Sequence, residues 1–311
     1  MDKVEFSQLA NIGVQSLSPY QPGKPIDELA REFNLNPADI IKLASNENPL
    51  GPSSKAIAAI TAELANLTRY PDGNGFELKT ALSRKLRVKS SQITLGNGSS
   101  DILEFIVKCF VSGGDEVLVS QHAFAIYGLV TQMAGGKCVQ IPAKNWGHDL
   151  EAMARAVTPS TKIIFVTNPN NPTGTWSTKV QLESFLKKVP SNVIVLLDEA
   201  YFEYVDKADY PSGIDYLEQY PNLVVTRTFS KAYGLASLRV GYGVCSEQLA
   251  DLMNRVRPPF NVDSLALAAA VACLNDDSYV RQSKELNDQG LNQLQSGFDQ
   301  LNLSWIPSVG N

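Results

Sequence analysis

Between about Thr94 and Gly243, short runs rich in β-branched residues alternate with segments of helical period, which leaves few folds open. The runs are QITLG, EVLVS, KCVQIPA, KIIFVTNP, NVIVLLDEAY, NLVVTRTFS and RVGYGVCS. Strands separated by helices pair in parallel, because a parallel crossover needs roughly the length of a helix. The expectation is an α/β domain with a mainly parallel sheet. Several runs end in polar or glycine-rich clusters: GNGSSD, NPNNPTG, DEAY and FSKAYG. Ligands of open α/β sheets sit outside the carboxyl ends of the strands, so these clusters should converge on one cleft.

The segments between and after the runs carry the helical signal. Ser100 to Phe110 places Ile102, Leu103, Ile106, Val107 and Phe110 on one face directly after GNGSS. Asp263 to Leu274 reads as an Ala- and Leu-rich helix, and Ser278 to Leu301 as a long one with Ser278 as N-cap. The first fifty residues are proline-rich, with one helix expected at Ile26 to Phe33, and form an arm over their own domain or over a partner subunit. The sequence stops at SWIPSVGN, a strand-like start and a turn, which reads as a truncation.

Composition narrows the function classes. With 44% apolar and 19% charged residues and a net charge of −5, the chain has no basic excess to attract a nucleic-acid backbone. No run approaches the ~18–20 apolar residues of a membrane span. The start, MDKVEFSQLANIGVQ, lacks the charged and apolar regions of a signal peptide, so the cytoplasm is expected. Cys109, Cys138, Cys245 and Cys273 are scattered without a CxxC pair and read as buried thiols. Two histidines, His122 and His148, are too few and too dispersed for a zinc centre, so no metal is expected.

Each strand-end cluster has a chemical and a plain reading. Backbone N–H groups near Gly98, Ser99 and Ser100, at the start of a helix, suit a phosphate, or the segment is a glycine turn with a serine cap. In NPNNPTG, Asn171 offers an amide from a proline-stiffened loop, or the loop is only a rigid turn. Asp198, at the end of a strand apolar on both faces, is a helix-capping residue or a buried carboxylate that needs donors around it, because burying a bare one costs several kcal/mol. Glu199 and Tyr201 follow at once. Lys231 is a surface charge or, in a partly apolar pocket, an amine activated towards carbonyls, and Arg239 suits a phosphate. A phosphate cradle, an amide, a carboxylate, a phenol, a lysine and an arginine together match pyridoxal phosphate, which presents a phosphate, a phenolic oxygen, a ring nitrogen and an aldehyde.

With these residues in view, the sequence resembles the fold-type I pyridoxal-phosphate-dependent aminotransferases, and within them the histidinol-phosphate aminotransferase group. KLASNENPLGPS, RYPDGNGFELKTALS, TLGNGSSDILEFIVKCF, HAFAIY, FVTNPNNPTG, DEAYFEY and TFSKAYGLASLRVGYG carry the likeness across almost the whole chain. The resemblance implies a mainly parallel seven-stranded sheet sandwiched by helices in a large domain, plus an incomplete small α/β domain. The divisions expected are an arm and part of the small domain at 1–50, the large domain at 51–260, and linking helices leading to the small domain at 261–311.

The resemblance also implies roles. Lys231 is the lysine that holds the cofactor as an imine and later acts as general base, and Asp198 partners the pyridine nitrogen. Asn171 and Tyr201 bond the phenolic oxygen. Ser99, Ser100, Ser230 and Arg239 hold the phosphate. Phe124 stacks on the ring, where many relatives carry Tyr. Tyr70 reaches the neighbouring subunit's cofactor phosphate, which implies a homodimer. Tyr20 and Asn46 face the substrate. The implied reaction is a ping-pong exchange of an amino group between a small-molecule amino donor, L-histidinol phosphate, and the 2-oxo acid 2-oxoglutarate. The family's carboxylate- or phosphate-binding arginine of the small domain has no match here. Rival readings are an aromatic-amino-acid aminotransferase, a threonine-phosphate decarboxylase, and a cofactor-binding pseudoenzyme or regulator. A nucleotide-binding α/β protein is disfavoured by the absence of GxGxxG and GxxxxGK[ST] at a strand end.

Overall fold

The computed structural model describes residues 5–310; residues 1–4, at the start of the expected arm, and residue 311 lie outside the description. All seven expected runs form strands: β1 Ile93–Asn97, β2 Glu116–Ser120, β3 Lys137–Ile141, β4 Thr161–Thr167, β5 Ile194–Asp198, β6 Leu223–Thr228 and β7 Val240–Val244. They make one sheet in the order β1-β7-β6-β5-β4-β2-β3. Only β7 runs against its neighbours, β1 and β6. The other six therefore end on the same edge of the sheet.

Alternation along the strands divides the core into two layers. Val117, Val119, Ile163, Phe165, Ile194, Leu196 and Val224 face one side, packed with Ile102, Leu103 and Ile106 of the Ser99–Phe110 helix and Met253 of the Glu247–Val256 helix. Leu118, Ile164, Val166, Val195, Leu197 and Val225 face the other, against Leu182 and Phe185 of Lys179–Lys188 and Ala266 and Ala270 of Ser264–Leu274. The central strands β5 and β6 are buried along their whole length, as the aliphatic start of each suits.

Local signals set the helix starts. Asp263 accepts the Ala266 N–H at 2.8 Å, and Thr178 with Gln181 forms a capping box. The long helix departs from expectation: it runs Asp277–Gln300, with Asp276 rather than Ser278 at the cap position. The Asp276 carboxylate accepts from the Ser278 hydroxyl at 2.8 Å and pairs with Lys55 at 3.1 Å, so Ser278 serves that carboxylate from inside the first turn. The terminal SWIPSVG forms no strand; it lies along the NPNNPTG loop, where the Val309 N–H donates to Gly174 O at 3.2 Å.

The arm crosses its own domain. Its helix is Ile26–Phe33, with two single turns before it at Phe6–Leu9 and Ile12–Gln15. Gly13 lies so close to the end of the Ala125–Met133 helix that a Cβ there would stand 2.0 Å from Gln132 O, and Gln132 Nε2 donates to Ser16 Oγ at 3.0 Å. Cys245 and Cys273 are buried thiols, whereas Cys109 and Cys138 are half-buried. No helix among the described residues is long and apolar enough to cross a membrane.

One buried ion pair ties β5 to β6. Alternation sends Asp198 and Glu199 to opposite sides of the backbone, and Glu199, fully buried, accepts from Arg227 Nε at 2.9 Å and Nη2 at 2.8 Å. The Gly213 N–H satisfies the second carboxylate oxygen at 2.6 Å, and the guanidinium lies 3.5 Å over the Phe202 ring. Removing one partner leaves an uncompensated buried charge, so Arg227→Met is expected to cost about 3–5 kcal/mol. The double variant Arg227→Met/Glu199→Leu should lose less than that, as read from urea unfolding midpoints; an equal or larger loss contradicts it.

Candidate active site

The strand ends enclose one cavity of ≈ 580 Å³, lined by eleven of the twelve residues expected from the sequence. They are Tyr20 and Asn46 from the arm, Ser99 and Ser100, Phe124, Asn171, Asp198 and Tyr201, and Ser230, Lys231 and Arg239. The twelfth, Tyr70, is 83% exposed away from this cavity and stacks on Phe260 at 4.8 Å.

At one end the cavity gathers donors whose chemistry suits an anion. The Ser99–Phe110 helix begins after Gly98, whose φ of +78° suits glycine, and its first residues Ser99 and Ser100 line the cavity. The unpaired N–H groups of that turn carry the positive end of the helix dipole. Arg239 stands beside them: a Cβ on Gly98 would fall 2.4 Å from Arg239 Nη2, and one on Gly241 would fall 2.4 Å from Ser99 N. Two glycines thus let a helix start, a strand and a guanidinium meet. Arg239 Nη1 donates to Ser230 Oγ at 3.3 Å and Ala236 O at 3.0 Å, and Ser230 Oγ also accepts from Thr228 Oγ1 at 3.0 Å.

Asp198 is nearly buried at the end of β5, and its donors come from both sides. Tyr127 OH donates to Oδ2 at 2.9 Å, and Thr226 Oγ1 donates to Oδ1 at 3.0 Å. Burial raises the carboxyl above its ordinary range, while these two hydroxyls, the Ala200 N–H and the charge of Lys231 hold it down. Behind this group His148 Nε2 meets Thr167 O at 2.9 Å and Thr167 N at 3.1 Å, and burial lowers the imidazole to about 4. Neither His148 nor His122 belongs to a metal-binding cluster, and none occurs among the described residues.

Lys231 Nζ lies 5.7 Å from the centre of the Tyr201 ring and donates to Ser45 O at 3.0 Å and Asn46 O at 3.2 Å. Burial lowers its pKa and nearby Arg239 adds to the effect, while Glu47 and Asp198 oppose it. Asn46 Nδ2 donates to Tyr201 OH at 2.9 Å, and burial pushes that phenol up to about 12. Asn171 and Phe124 flank the cavity half-buried.

Several contributors went unassigned in the sequence. Tyr127 lies inside the HAFAIY motif but three residues beyond Phe124, where it reads as one more core aromatic. Thr167, at the end of β4, and Thr226, two residues before the end of β6, have the parity of Asp198, a signal legible only once register is known. Ser45, Pro22 and Gly23 line the cavity through an arm whose path local pattern does not encode.

A chain with this fold and this combination of anion cradle, buried carboxylate and lysine belongs to a known family. Residues 38–311 match the family described as aminotransferase class I and II, and the chain belongs to it. The resemblance to particular members is closer still. Histidinol-phosphate aminotransferase 2 of Pseudomonas fluorescens is 58% identical over 306 residues, 98% of this chain and 83% of that protein. The protein of the same name from Pseudomonas aeruginosa is 59% identical over 307 residues, covering 99% and 83%. Among solved structures, histidinol-phosphate aminotransferase from Sinorhizobium meliloti in complex with pyridoxal-5'-phosphate superposes with a TM-score of 0.88 at 28% identity, covering 96% of this chain and 80% of that one.

The anion cradle makes a direct prediction. Inorganic phosphate should bind the unliganded protein, and Arg239→Ala should weaken that binding by about tenfold or more, the worth of a charge-assisted hydrogen bond. Isothermal titration of both proteins checks it; equal affinities contradict the assignment.

Proposed function

We propose that this chain is a pyridoxal-phosphate-dependent aminotransferase of histidine biosynthesis, exchanging an amino group between L-histidinol phosphate and 2-oxoglutarate. The observation that carries the reading is one cavity lined together by Lys231, Asp198 and the Ser99, Ser100 and Arg239 cradle. The donor set fits the cofactor: glycines at 98 and 241 leave room beside the helix start, and a buried carboxylate and a lysine of lowered pKa share the wall.

Ser99, Ser100, Ser230 and Arg239 would hold the phosphate, Phe124 would cover the ring, and Asn171 and Tyr201 would hold the phenolic oxygen. Asp198 would keep a proton on the ring nitrogen. When bound, pyridoxal phosphate supplies an aldehyde carbon for an amine and a ring that takes up the electron pair left at a substrate Cα. Lys231 would hold the cofactor at its aldehyde carbon, and its Nζ, when free, would serve as the base for a proton at a substrate Cα. Lowered by burial, the amine is available for this at a pH below the ordinary lysine range. Tyr20 and Asn46, from the arm, face the substrate and help exclude water.

In this reading the enzyme is a cytoplasmic homodimer, with Tyr70 reaching the cofactor phosphate of the neighbouring subunit. Its exposed ring supports that role. Residues 51–260 form the large domain, 1–50 the arm with part of a small domain, and 261–311 the link to the rest of it.

Purified protein should carry an imine absorbance near the visible edge that Lys231→Ala abolishes. As pH rises through the Lys231 pKa the amine loses its proton and becomes nucleophilic, so imine formation should reach half its maximal rate below the ordinary lysine value. In a single half-reaction, histidinol phosphate should outpace phenylalanine as amino donor. A colourless protein that cannot be reconstituted rejects the cofactor, and faster reaction with phenylalanine rejects the substrate.

A further inference from the structure

The ends of β4 and β5 stand in register with each other and with a residue near the end of β6. Thr167 of β4 pairs with Asp198 of β5, and Asp198 pairs with Thr226 of β6, so a hydroxyl, a carboxylate and a hydroxyl stand in a row at the sheet edge. Thr226 bonds the carboxylate directly at 3.0 Å, but Thr167 does not. Tyr127 bridges that second gap: its hydroxyl lies 2.7 Å from Thr167 Oγ1 and 2.9 Å from Asp198 Oδ2. The carboxylate has no proton to give when ionised, so Tyr127 donates to it and accepts from Thr167.

The ring that carries this hydroxyl is held from two directions. Tyr127 is 1% exposed, stacks on Phe165 at 4.5 Å and 7°, and meets Phe124 edge-on at 5.9 Å. A ring so packed has one orientation, and so does its hydroxyl. Phe124 lines the cavity and Tyr127 does not. The motif thus divides its work between a residue that meets the ligand and one behind it.

We propose that Tyr127 is a positioning residue for Asp198, holding its carboxylate as the fixed acceptor for the cofactor's ring N–H. The inference rests on the reading of the cavity as a pyridoxal phosphate site. The groups that face Asp198 are the Tyr127 and Thr226 hydroxyls, the Ala200 N–H and the Lys231 cation, with the Tyr201 phenol nearby. Burial raises the Tyr127 hydroxyl well above its ordinary range, so it remains a donor throughout the working pH range.

The test is Tyr127→Phe in the full chain, which removes one oxygen and keeps the ring. Cofactor-free protein should show the Asp198 carboxyl band, identified by its loss in Asp198→Asn, titrating at higher pH in infrared difference spectra. Pyridoxal phosphate affinity, read from fluorescence quenching, should fall about tenfold, the worth of a hydrogen bond to a charged group. In an Asp198→Asn background Tyr127→Phe should add nothing, because its effect passes through that carboxylate. An unmoved carboxyl band with unchanged affinity overturns the proposal, and so does a full additional loss in the Asp198→Asn background. Should Tyr127→Phe fail to fold, Thr167→Val, which removes the donor behind the tyrosine, is expected to weaken affinity in the same direction, and unchanged affinity overturns it. A wild-type chain that takes up no pyridoxal phosphate sinks both this inference and the function it rests on, a result distinct from equal binding by wild type and Tyr127→Phe.

Discussion

Burying Asp198 at the end of a strand that is covered on both faces is the constraint around which the site is arranged. A carboxylate in that place is tolerated only with donors on each oxygen, and the side-chain donors must come from outside β5 because its other residues are all aliphatic. Register brings Thr226 from one side, and a helix brings Tyr127 from above. A slip of one residue between β5 and β6 would turn Thr226 away and bring the Arg227 guanidinium beside Asp198. The Glu199–Arg227 pair on the opposite side of the backbone resists that slip, since it forms only in the observed register.

The strands were legible because each is an apolar run closed by a polar cluster, a pattern that burial on both faces enforces. The polar residues that end those runs were legible for a related reason: a charge at the end of a buried strand demands an explanation wherever it occurs. Asp198 and Lys231 stand out on that ground, and Arg239 as a charge at the start of a run rather than its end. What escaped is held by contacts distant in sequence. Tyr127 looks like core until its hydroxyl is seen against Asp198, 71 residues away. Arg227 lies inside an apolar run whose local pattern names no partner, and its partner Glu199 is 28 residues off. Ser278 has the right chemistry for a cap, but Asp276 draws its hydroxyl away from the backbone.

The arm adds a constraint that no local pattern announces. Ser45 and Asn46 are consecutive non-glycine residues at φ +74° and +49°, a left-handed turn that costs of order 1 kcal/mol at each. The turn aims two carbonyls at Lys231 Nζ and the Asn46 amide at Tyr201 OH. Asn48 continues the grip, donating to Ala232 O at 3.2 Å and Ser283 Oγ at 2.8 Å. These bonds and the cover they bring offset the strain, and they bind the arm to the lysine and to the helix beyond it.

The identity of those acceptors matters for the chemistry. A carboxylate in direct contact with Lys231 would satisfy the amine equally well, but it would raise the pKa and keep the nitrogen protonated. Neutral carbonyls orient Nζ without that penalty, so the lowering by burial survives. Glu47, the next residue along the arm, turns its carboxylate to Lys42 at 2.8 Å and acts on Lys231 only through its field. Asp198 and Lys231, two of the charged groups in the cavity wall, are both shifted by burial against the pull of their neighbours. Burial raises Asp198 and lowers Lys231, and the hydroxyl donors limit the rise of the carboxyl. A wall that combines a hydrogen-bonded carboxylate with an amine of lowered pKa offers one ligand both a fixed acceptor and a group able to take up a proton.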